Sequence, residues 1–417
     1  MTTDTETRTP AEPEDYPSLF DQVVDRKHTN SMKWGRPEAF LAPDEAAAQP
    51  LPMWVADTDF KAPPAVIAAL HEAVEHGVFG YPGGSTTKYL QAVIGWQGRR
   101  FGWAPEPEWV IQTGGVITSL KTAVQSFTAP GDSVLIQPPV YVHFHNDVLI
   151  NGRHLALAPL ERTEDGYRFD AHVFEAAIRP DTKLFILSNP HNPTGNVWST
   201  DDLRTMGEIC ARHGVLVIAD EIHQDLVVNQ SLRHIPFASL GPDFAANSIT
   251  CTAPSKTFNL PGLQSANLFI PDRRLREEFL RQYERNMFRY VNTLGMVAAE
   301  AAYTHGEPWL EALLDYLRDN HRHFADAVNA ATSKVRVLPA DSLYLAWMDC
   351  RGLGLPAEEL DRFMLLRARL WLDKGQKFGA AGHGYMRVNL GCPRATVEEA
   401  INRLTAALAG AEPPILP

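Results

Sequence analysis

The chain lacks the features that mark several large classes of protein. In its 417 residues no apolar stretch approaches the ~18–20 residues that span a membrane. It has no run of lysines and arginines, and its formal net charge of −12 argues against nucleic acid as a partner. The Thr/Pro-rich start carries no apolar signal-peptide core, and we expect 1–16 to form a disordered tail. Neither disulfide nor metal-site spacing relates its four cysteines, which is typical of a reduced, cytoplasmic protein: Cys210, Cys251, Cys350 and Cys392.

What the chain does contain predicts an α/β fold. Apolar residues make up 45 % of it, enough to bury a large core. Apolar runs at 182–190 and 214–221 predict buried strands, and the segment 199–214 between them has Ser/Thr/Asp caps, helical periodicity and a closing glycine. Strand, helix and strand in this order predict a βαβ unit and a parallel sheet. Further strands are predicted at 133–139 and 385–391, and helices at 61–76, 116–132, 272–286, 293–305, 308–331, 356–370 and 395–410.

The length of the chain favours two domains, or one large α/β domain with an extra lobe. We expect a large domain over 61–295 and a smaller α/β domain over 296–417. The arm 17–60 is expected to pack with the small domain.

Polar side chains follow the predicted strands where ligands gather in open α/β sheets. Asn192 follows the first strand, Asp220 and His223 follow the second, and Lys256 is the only charge in "CTAPSKTFNLPG". Each has an ordinary alternative: Asp220 as a helix cap, Asn192 in a turn, His223 at a helix start and Lys256 at the surface. A buried lysine, however, lowers its pKa readily and becomes a nucleophile.

The order and spacing of "NPHNPTG", "ADEIH", "SKTFNLPG" and "YMRVNLG" resemble those of the pyridoxal-phosphate (PLP) enzymes of fold type I, the class I and II aminotransferase superfamily. The resemblance runs from about 17 to 410. It implies a mostly parallel central sheet flanked by helices, with a smaller α/β C-terminal domain. It also implies that Lys256 holds PLP as a Schiff base and that Asp220 pairs with the protonated pyridine nitrogen. Asn192 and His223 would bond the ring oxygen O3′, and Tyr141 would stack on the ring or simply fill core space.

The resemblance also implies a phosphate site at the start of a helix. In "QTGGVITSL", the backbone N–H groups of Gly115, Val116 and Ile117 are the expected donors, although an ordinary strand–helix turn would have the same sequence. Ser255 and Thr252 could add hydroxyl groups.

One position departs from the phosphate site of many relatives, because Gln264 stands where they have an arginine. We expect Tyr81 to compensate from a second subunit of a homodimer with shared active sites, although it could also be core filling. Arg387 is expected to bind the substrate carboxylate with its planar fork. An unpaired guanidinium in an apolar strand would be costly, which favours an anionic ligand there.

The N-terminal third narrows the reaction. The segments 25–35, 51–60 and 78–84 resemble the cystathionine β-lyase, or cysteine-S-conjugate β-lyase, branch of the superfamily. This implies β-elimination with Lys256 as the general base, giving thiol, pyruvate and ammonia. An aminotransferase is the alternative, and a PLP-holding protein with a binding role ranks third. His28, Gly35 and Thr58 depart from the expected branch pattern, so the substrate's identity stays open.

Overall fold

The computed structural model describes residues 15–288 and 290–410, and a seven-stranded sheet lies at the centre of its larger part. Five neighbouring strands run parallel, and Ala266–Phe269 runs antiparallel to the strand on either side of it. The mostly parallel sheet expected from the βαβ pattern is therefore confirmed. In spatial order its strands are Val110–Thr113, Ala266–Phe269, Ser248–Thr252, Leu216–Asp220, Thr182–Ser188, Ser133–Ile136 and His154–Leu157.

Helices flank this sheet close to where their periodicity predicted them. Thr200–Arg212 begins with a reciprocal cap, in which the Ser199 hydroxyl accepts from the N–H of Asp202 and the Asp202 carboxylate accepts from Ser199. The helix predicted over 116–132 ends earlier, at Phe127, because the residue before Pro130 is pushed out of the helical region. The other helices are Pro64–His76, Thr87–Phe101, Val142–Ile150, Ala171–Ala176, Arg273–Arg285 and Thr293–His305.

A second, four-stranded sheet lies in the C-terminal part, and each of its strand pairs is antiparallel. In spatial order its strands are Arg336–Val337, Leu345–Asp349, Tyr385–Asn389 and Asp373–Lys374. The long helices Glu307–Ala331 and Arg394–Leu408 contact each other.

The helix predicted over 356–370 is shorter than expected. Ala357–Arg362 is α-helical and continues into a wider turn over Phe363–Arg367. Arg369 then takes a left-handed φ of 49°, and Leu370–Trp371 pairs in parallel with Leu51–Pro52. The segment that precedes the large domain thus adds a strand to the C-terminal part.

The arrangement of helices bears on where one domain gives way to the other. Thr293–His305 packs against Pro64–His76 and Thr87–Phe101, and the boundary expected after 295 falls inside it. We therefore propose that the change of domain comes after this helix, at Gly306. The tail expected over 1–16 lies outside the described residues up to 14, whereas Tyr16 begins a short helix that ends at Phe20. Among the described residues, no helix has the length and apolarity needed to cross a membrane.

Candidate active site

A cavity of about 240 Å³ lies at the carboxyl ends of the parallel strands. Asp220 is the last residue of its strand, and Lys256 belongs to the short helix Pro254–Thr257, which follows the neighbouring strand. Residues that are far apart in the sequence therefore meet because parallel strands end at the same edge. The cavity lining includes these residues predicted for the site: Gly115, Val116, Ile117, Tyr141, Asn192, Asp220, His223, Ser255 and Lys256, together with Gln264.

Lys256 is buried, and its Nζ donates a hydrogen bond to the carbonyl oxygen of Ala56 at 2.6 Å. Burial lowers the pKa of this amine to about 8; the charge of Arg387 acts in the same direction, while Asp57 and Asp220 oppose it. A share of the molecules then carries a neutral amine at neutral pH, as a nucleophile or a general base requires.

Asp220 and His223 are buried at the same cavity with opposite pKa shifts. Burial raises the pKa of the Asp220 carboxyl to about 7, against the lowering effects of the Ile222 N–H and the Lys256 charge. Burial, aided by Lys256 and Arg387, holds the pKa of His223 well below its ordinary value, so its ring is neutral. The Nδ1 atom of His223 has no hydrogen-bond partner within 15–288 and 290–410. A cationic ring nitrogen would relieve the cost of ionising Asp220.

The start of helix Val116–Phe127 faces the cavity with its free backbone donors. A Cβ atom added to Gly114 or Gly115 would meet no atom within 4 Å, so the backbone is open to a ligand. Ser265, which the sequence reading missed, also lines the cavity, and its Oγ has no hydrogen-bond partner in the described part of the chain. Its position directly after Gln264 was the available signal.

Thr252 and Tyr81 lie away from this lining. Thr252 is buried, and its hydroxyl faces the carbonyl oxygen of Asn267 at 3.4 Å. Tyr81 is 88 % exposed, and its ring lies 5.2 Å from that of Tyr290. Neither residue therefore contributes to the cavity of its own chain.

Arg387 lies behind the cavity rather than in its lining. Its Nη1 donates to Oδ1 of Asn192 at 3.1 Å, and its Nη2 donates to Oδ2 of Asp373 at 2.6 Å and to the carbonyl oxygen of Trp54 at 3.2 Å. The expectation that the guanidinium lacks an anionic partner within the chain is therefore wrong. Asp373 supplies that partner because its short strand pairs with the strand of Arg387, residue opposite residue.

The segment 54–60 closes one side of the site, and side chains from distant positions fix it. Asn259 accepts a hydrogen bond from the N–H of Thr58 and donates to the carbonyl oxygens of Thr58 and Phe60. Arg26 binds the carboxylates of Asp57 and Asp59 at 2.7 and 2.6 Å. These contacts hold in place the backbone that carries the Ala56 carbonyl.

The three departures from the expected branch pattern lie near this segment or in the arm. Thr58 is buried and His28 is exposed. Gly35 closes a tight turn through its N–H to the carbonyl oxygen of Ser31 at 2.8 Å. A Cβ atom at Gly35 would come within 2.6 Å of the Thr29 carbonyl oxygen, so the turn itself requires glycine.

The fold and the cavity define a protein class, and comparison with known families gives the same class. The description "Aminotransferase class I and II" matches residues 54–404, and the chain belongs to this family. Cystathionine beta-lyase PatB of Bacillus subtilis (strain 168) is 43 % identical over 393 residues, which cover 93 % of this chain and 99 % of PatB.

Two solved structures show how closely the fold is shared. Cystalysin from Treponema denticola, which contains a pyridoxal 5′-phosphate cofactor, superposes with a TM-score of 0.89 at 31 % identity, covering 94 % of this chain and 98 % of cystalysin. A PLP-bound chain from Clostridium difficile 630, described as an aminotransferase, gives a TM-score of 0.90 at 39 % identity, covering 93 % and 99 %.

The cavity residues fit the cofactor that these relatives hold. Lys256 offers a buried amine of lowered pKa, and Asp220 is a buried carboxyl that lacks a cation on its cavity side. The orphaned atoms, His223 Nδ1 and Ser265 Oγ, match the polar oxygens of a substituted pyridine and a phosphate. The open backbone at Gly115 suits a phosphate at a helix start.

Proposed function

We propose that this chain is a PLP-dependent carbon–sulfur β-lyase that acts on cystathionine or a cysteine S-conjugate. The observation that carries the proposal is one cavity in which the Lys256 amine, the Asp220 carboxyl and the start of helix Val116–Phe127 meet. The end-to-end likeness to a cystathionine beta-lyase supports the choice of reaction. In the overall reaction, a cysteine thioether and water give a thiol, pyruvate and ammonia.

The residues of the chain have separate tasks in this reaction. Lys256 holds the cofactor before the substrate arrives and afterwards takes the proton from the substrate Cα at Nζ. Arg387 binds the substrate carboxylate and so orients the Cα–H bond toward that amine. Asp220 keeps a proton on the ring nitrogen, while His223 and Asn192 bond the ring oxygen. The bound cofactor supplies an electron sink for the charge that develops at Cα.

The phosphate end of the site lacks a cationic side chain at Gln264. The backbone N–H groups of Gly115, Val116 and Ile117 and the hydroxyls of Ser255 and Ser265 supply donors there. Tyr141 stacks on the cofactor ring.

A homodimer with shared sites completes this proposal. Apolar side chains are exposed next to one another on the chain at Val78, Phe79 and Tyr81, and Tyr81 contacts Tyr290 in the same exposed region. In the dimer the Tyr81 hydroxyl reaches the partner's phosphate site. Four buried, free cysteines also suit a reducing compartment, and we assign the enzyme to the cytoplasm.

The alternative function is that of an aminotransferase, because a chain of that description is 39 % identical. Both enzymes use Lys256 as the base, so the site geometry serves either reaction. They differ in whether the proton returns to the cofactor or the thiolate leaves.

Incubation of the purified enzyme with cystathionine, and separately with an S-alkyl cysteine, tests the proposal. Pyruvate and thiol released without any added keto acid support a lyase. A keto acid formed only when an amino acceptor is present would establish the aminotransferase instead. The Lys256→Ala variant is the control for chemistry by free PLP in solution.

A further inference from the structure

The hydrogen bonds of Arg387 leave no edge of its guanidinium free for a carboxylate. A guanidinium binds a carboxylate through two parallel bonds on one of two edges, Nη1/Nη2 or Nε/Nη2, and both edges use Nη2. The two hydrogens of Nη2 already face two acceptors, the carbonyl oxygen of Trp54 at 3.2 Å and Oδ2 of Asp373 at 2.6 Å. The Nε–H has no partner within the described ranges. A bidentate substrate carboxylate must therefore displace one of these two acceptors.

The acceptor that can move is the side chain rather than the backbone. Trp54 belongs to a segment fixed from both sides, because Asn389 donates to the carbonyl oxygens of Val55 and Asp57 at 2.6 Å each. The Asp373 carboxylate needs only a rotation about its side-chain bonds to leave Nη2.

A second cation is already in place to retain the displaced carboxylate. Lys377 Nζ lies 2.8 Å from Oδ1 of Asp373, and its side chain is 41 % exposed. The same ammonium lies 5.6 Å from the centre of the Trp54 ring. The Asp373 carboxylate thus bridges Arg387 and Lys377, and it can release the first while keeping the second.

We propose that Asp373 is a resident competitor for the substrate carboxylate on Arg387, and that Lys377 holds Asp373 when the substrate displaces it. The inference rests on the proposed function in that the incoming carboxylate is that of an amino-acid substrate. In the resting enzyme Asp373 spares the buried guanidinium from standing without a counter-ion. Part of the substrate's binding energy is then spent on displacement, which weakens substrate binding. Asp373 and Lys377 thereby set the affinity of the enzyme for its substrate class.

Equilibrium binding of an unreactive carboxylate to the PLP-loaded enzyme tests this proposal. The probe is 3-(methylthio)propanoate, a thioether carboxylate that has no amine and cannot react with the cofactor. Calorimetry gives its dissociation constant for wild type, Asp373→Asn and Lys377→Gln. The neutral probe 3-(methylthio)propanamide reports effects that do not involve the carboxylate.

Asp361→Asn serves as the matched control variant. Asp361 is a buried acid of the same part of the chain, its carboxylate lies 2.9 Å from Lys374 Nζ, and it makes no contact with Arg387. Its neutralisation removes the same charge without freeing Nη2.

The expected results have opposite signs for the two test variants. Asp373→Asn lowers the dissociation constant of the carboxylate roughly tenfold, because a charged acceptor no longer competes. Lys377→Gln raises that constant by about threefold, because Asp373 then binds Arg387 alone. Asp361→Asn and the amide probe show changes within about twofold.

The reverse result for Asp373→Asn, weaker carboxylate binding, would mean that Asp373 orients Arg387 and would overturn the proposal. Equal tightening in Asp361→Asn would reduce the effect to overall charge and overturn it as well. Should Asp373→Asn fail to fold, unchanged or tighter binding in the exposed Lys377→Gln variant overturns the proposal by itself. Because the probe does not react, tighter binding to Asp373→Asn in an enzyme without lyase activity would refute the proposed function and leave this inference standing.

Discussion

Asp220 should make the stability of the cofactor-free protein depend on pH in a way that Asp220→Asn removes. Burial raises the pKa of this carboxyl from 3.8 to about 7. The folded chain therefore keeps the proton up to about pH 7, whereas the unfolded chain releases it near its ordinary value. The stability contributed by this group is complete below the unfolded pKa and is lost as the pH rises through the folded one.

The size of the effect follows from the two pKa values. A difference of about three units corresponds to about 4 kcal/mol in full, at 1.36 kcal/mol per unit, and about 2–3 kcal/mol of it falls between pH 5 and pH 7.5. An asparagine has no proton to release, so this part of the pH dependence is absent from the variant. Between these two pH values, the wild type should lose about 2–3 kcal/mol of unfolding free energy relative to Asp220→Asn.

Urea titrations of both cofactor-free proteins at the two pH values measure this difference. With PLP bound, the pyridinium pairs with the carboxylate and the loss in the wild type should disappear, which provides an internal control. Parallel pH profiles for the two cofactor-free proteins would refute the reasoning, because Asp220 would then ionise in the fold as easily as in water.

Three further predictions concern the lysine, the proposed dimer and a turn of the arm. Lys256→Ala should fold but lose covalent attachment of PLP, as shown by borohydride reduction and peptide mapping; PLP still reduced onto the same peptide would contradict the assignment. Tyr81→Phe should raise the PLP dissociation constant roughly ten- to a hundredfold, since a charge-assisted hydrogen bond contributes about 1.5–3 kcal/mol; light scattering confirms the dimer, and unchanged affinity would exclude the role across the interface. Gly35→Ala should lower the free energy of unfolding by about 1–3 kcal/mol through the clash with the Thr29 carbonyl oxygen. Gly166→Ala is its control, because an added Cβ there meets no atom within 4 Å; equal losses in both variants would show that the clash is relieved.

Local signals in the sequence were sufficient for most elements of the fold and for the neighbourhood of the site. Apolar runs and helix caps act over a few residues, and they predicted Leu216–Asp220 and Thr200–Arg212 within two residues at each end. Parallel strands that end at one edge bring Asn192, Asp220 and Lys256 to the same cavity. The roles assigned to these residues remain predictions for the experiments above.

The contacts that tune the site depend on register and on long-range packing, which no local pattern encodes. The Arg387–Asp373 pair exists because two antiparallel strands place these residues opposite each other, and a shift by one residue would turn Asp373 to the other face. Lys256 meets the Ala56 carbonyl oxygen across 200 positions only after Asn259 and Arg26 have fixed the segment between 54 and 60. The sequence by itself determined the chemistry available at the cavity, through the residue types at the strand ends. The tertiary structure alone decided which partner each charge finds, because the energy of a charge in a buried site depends on distances that only the folded chain sets.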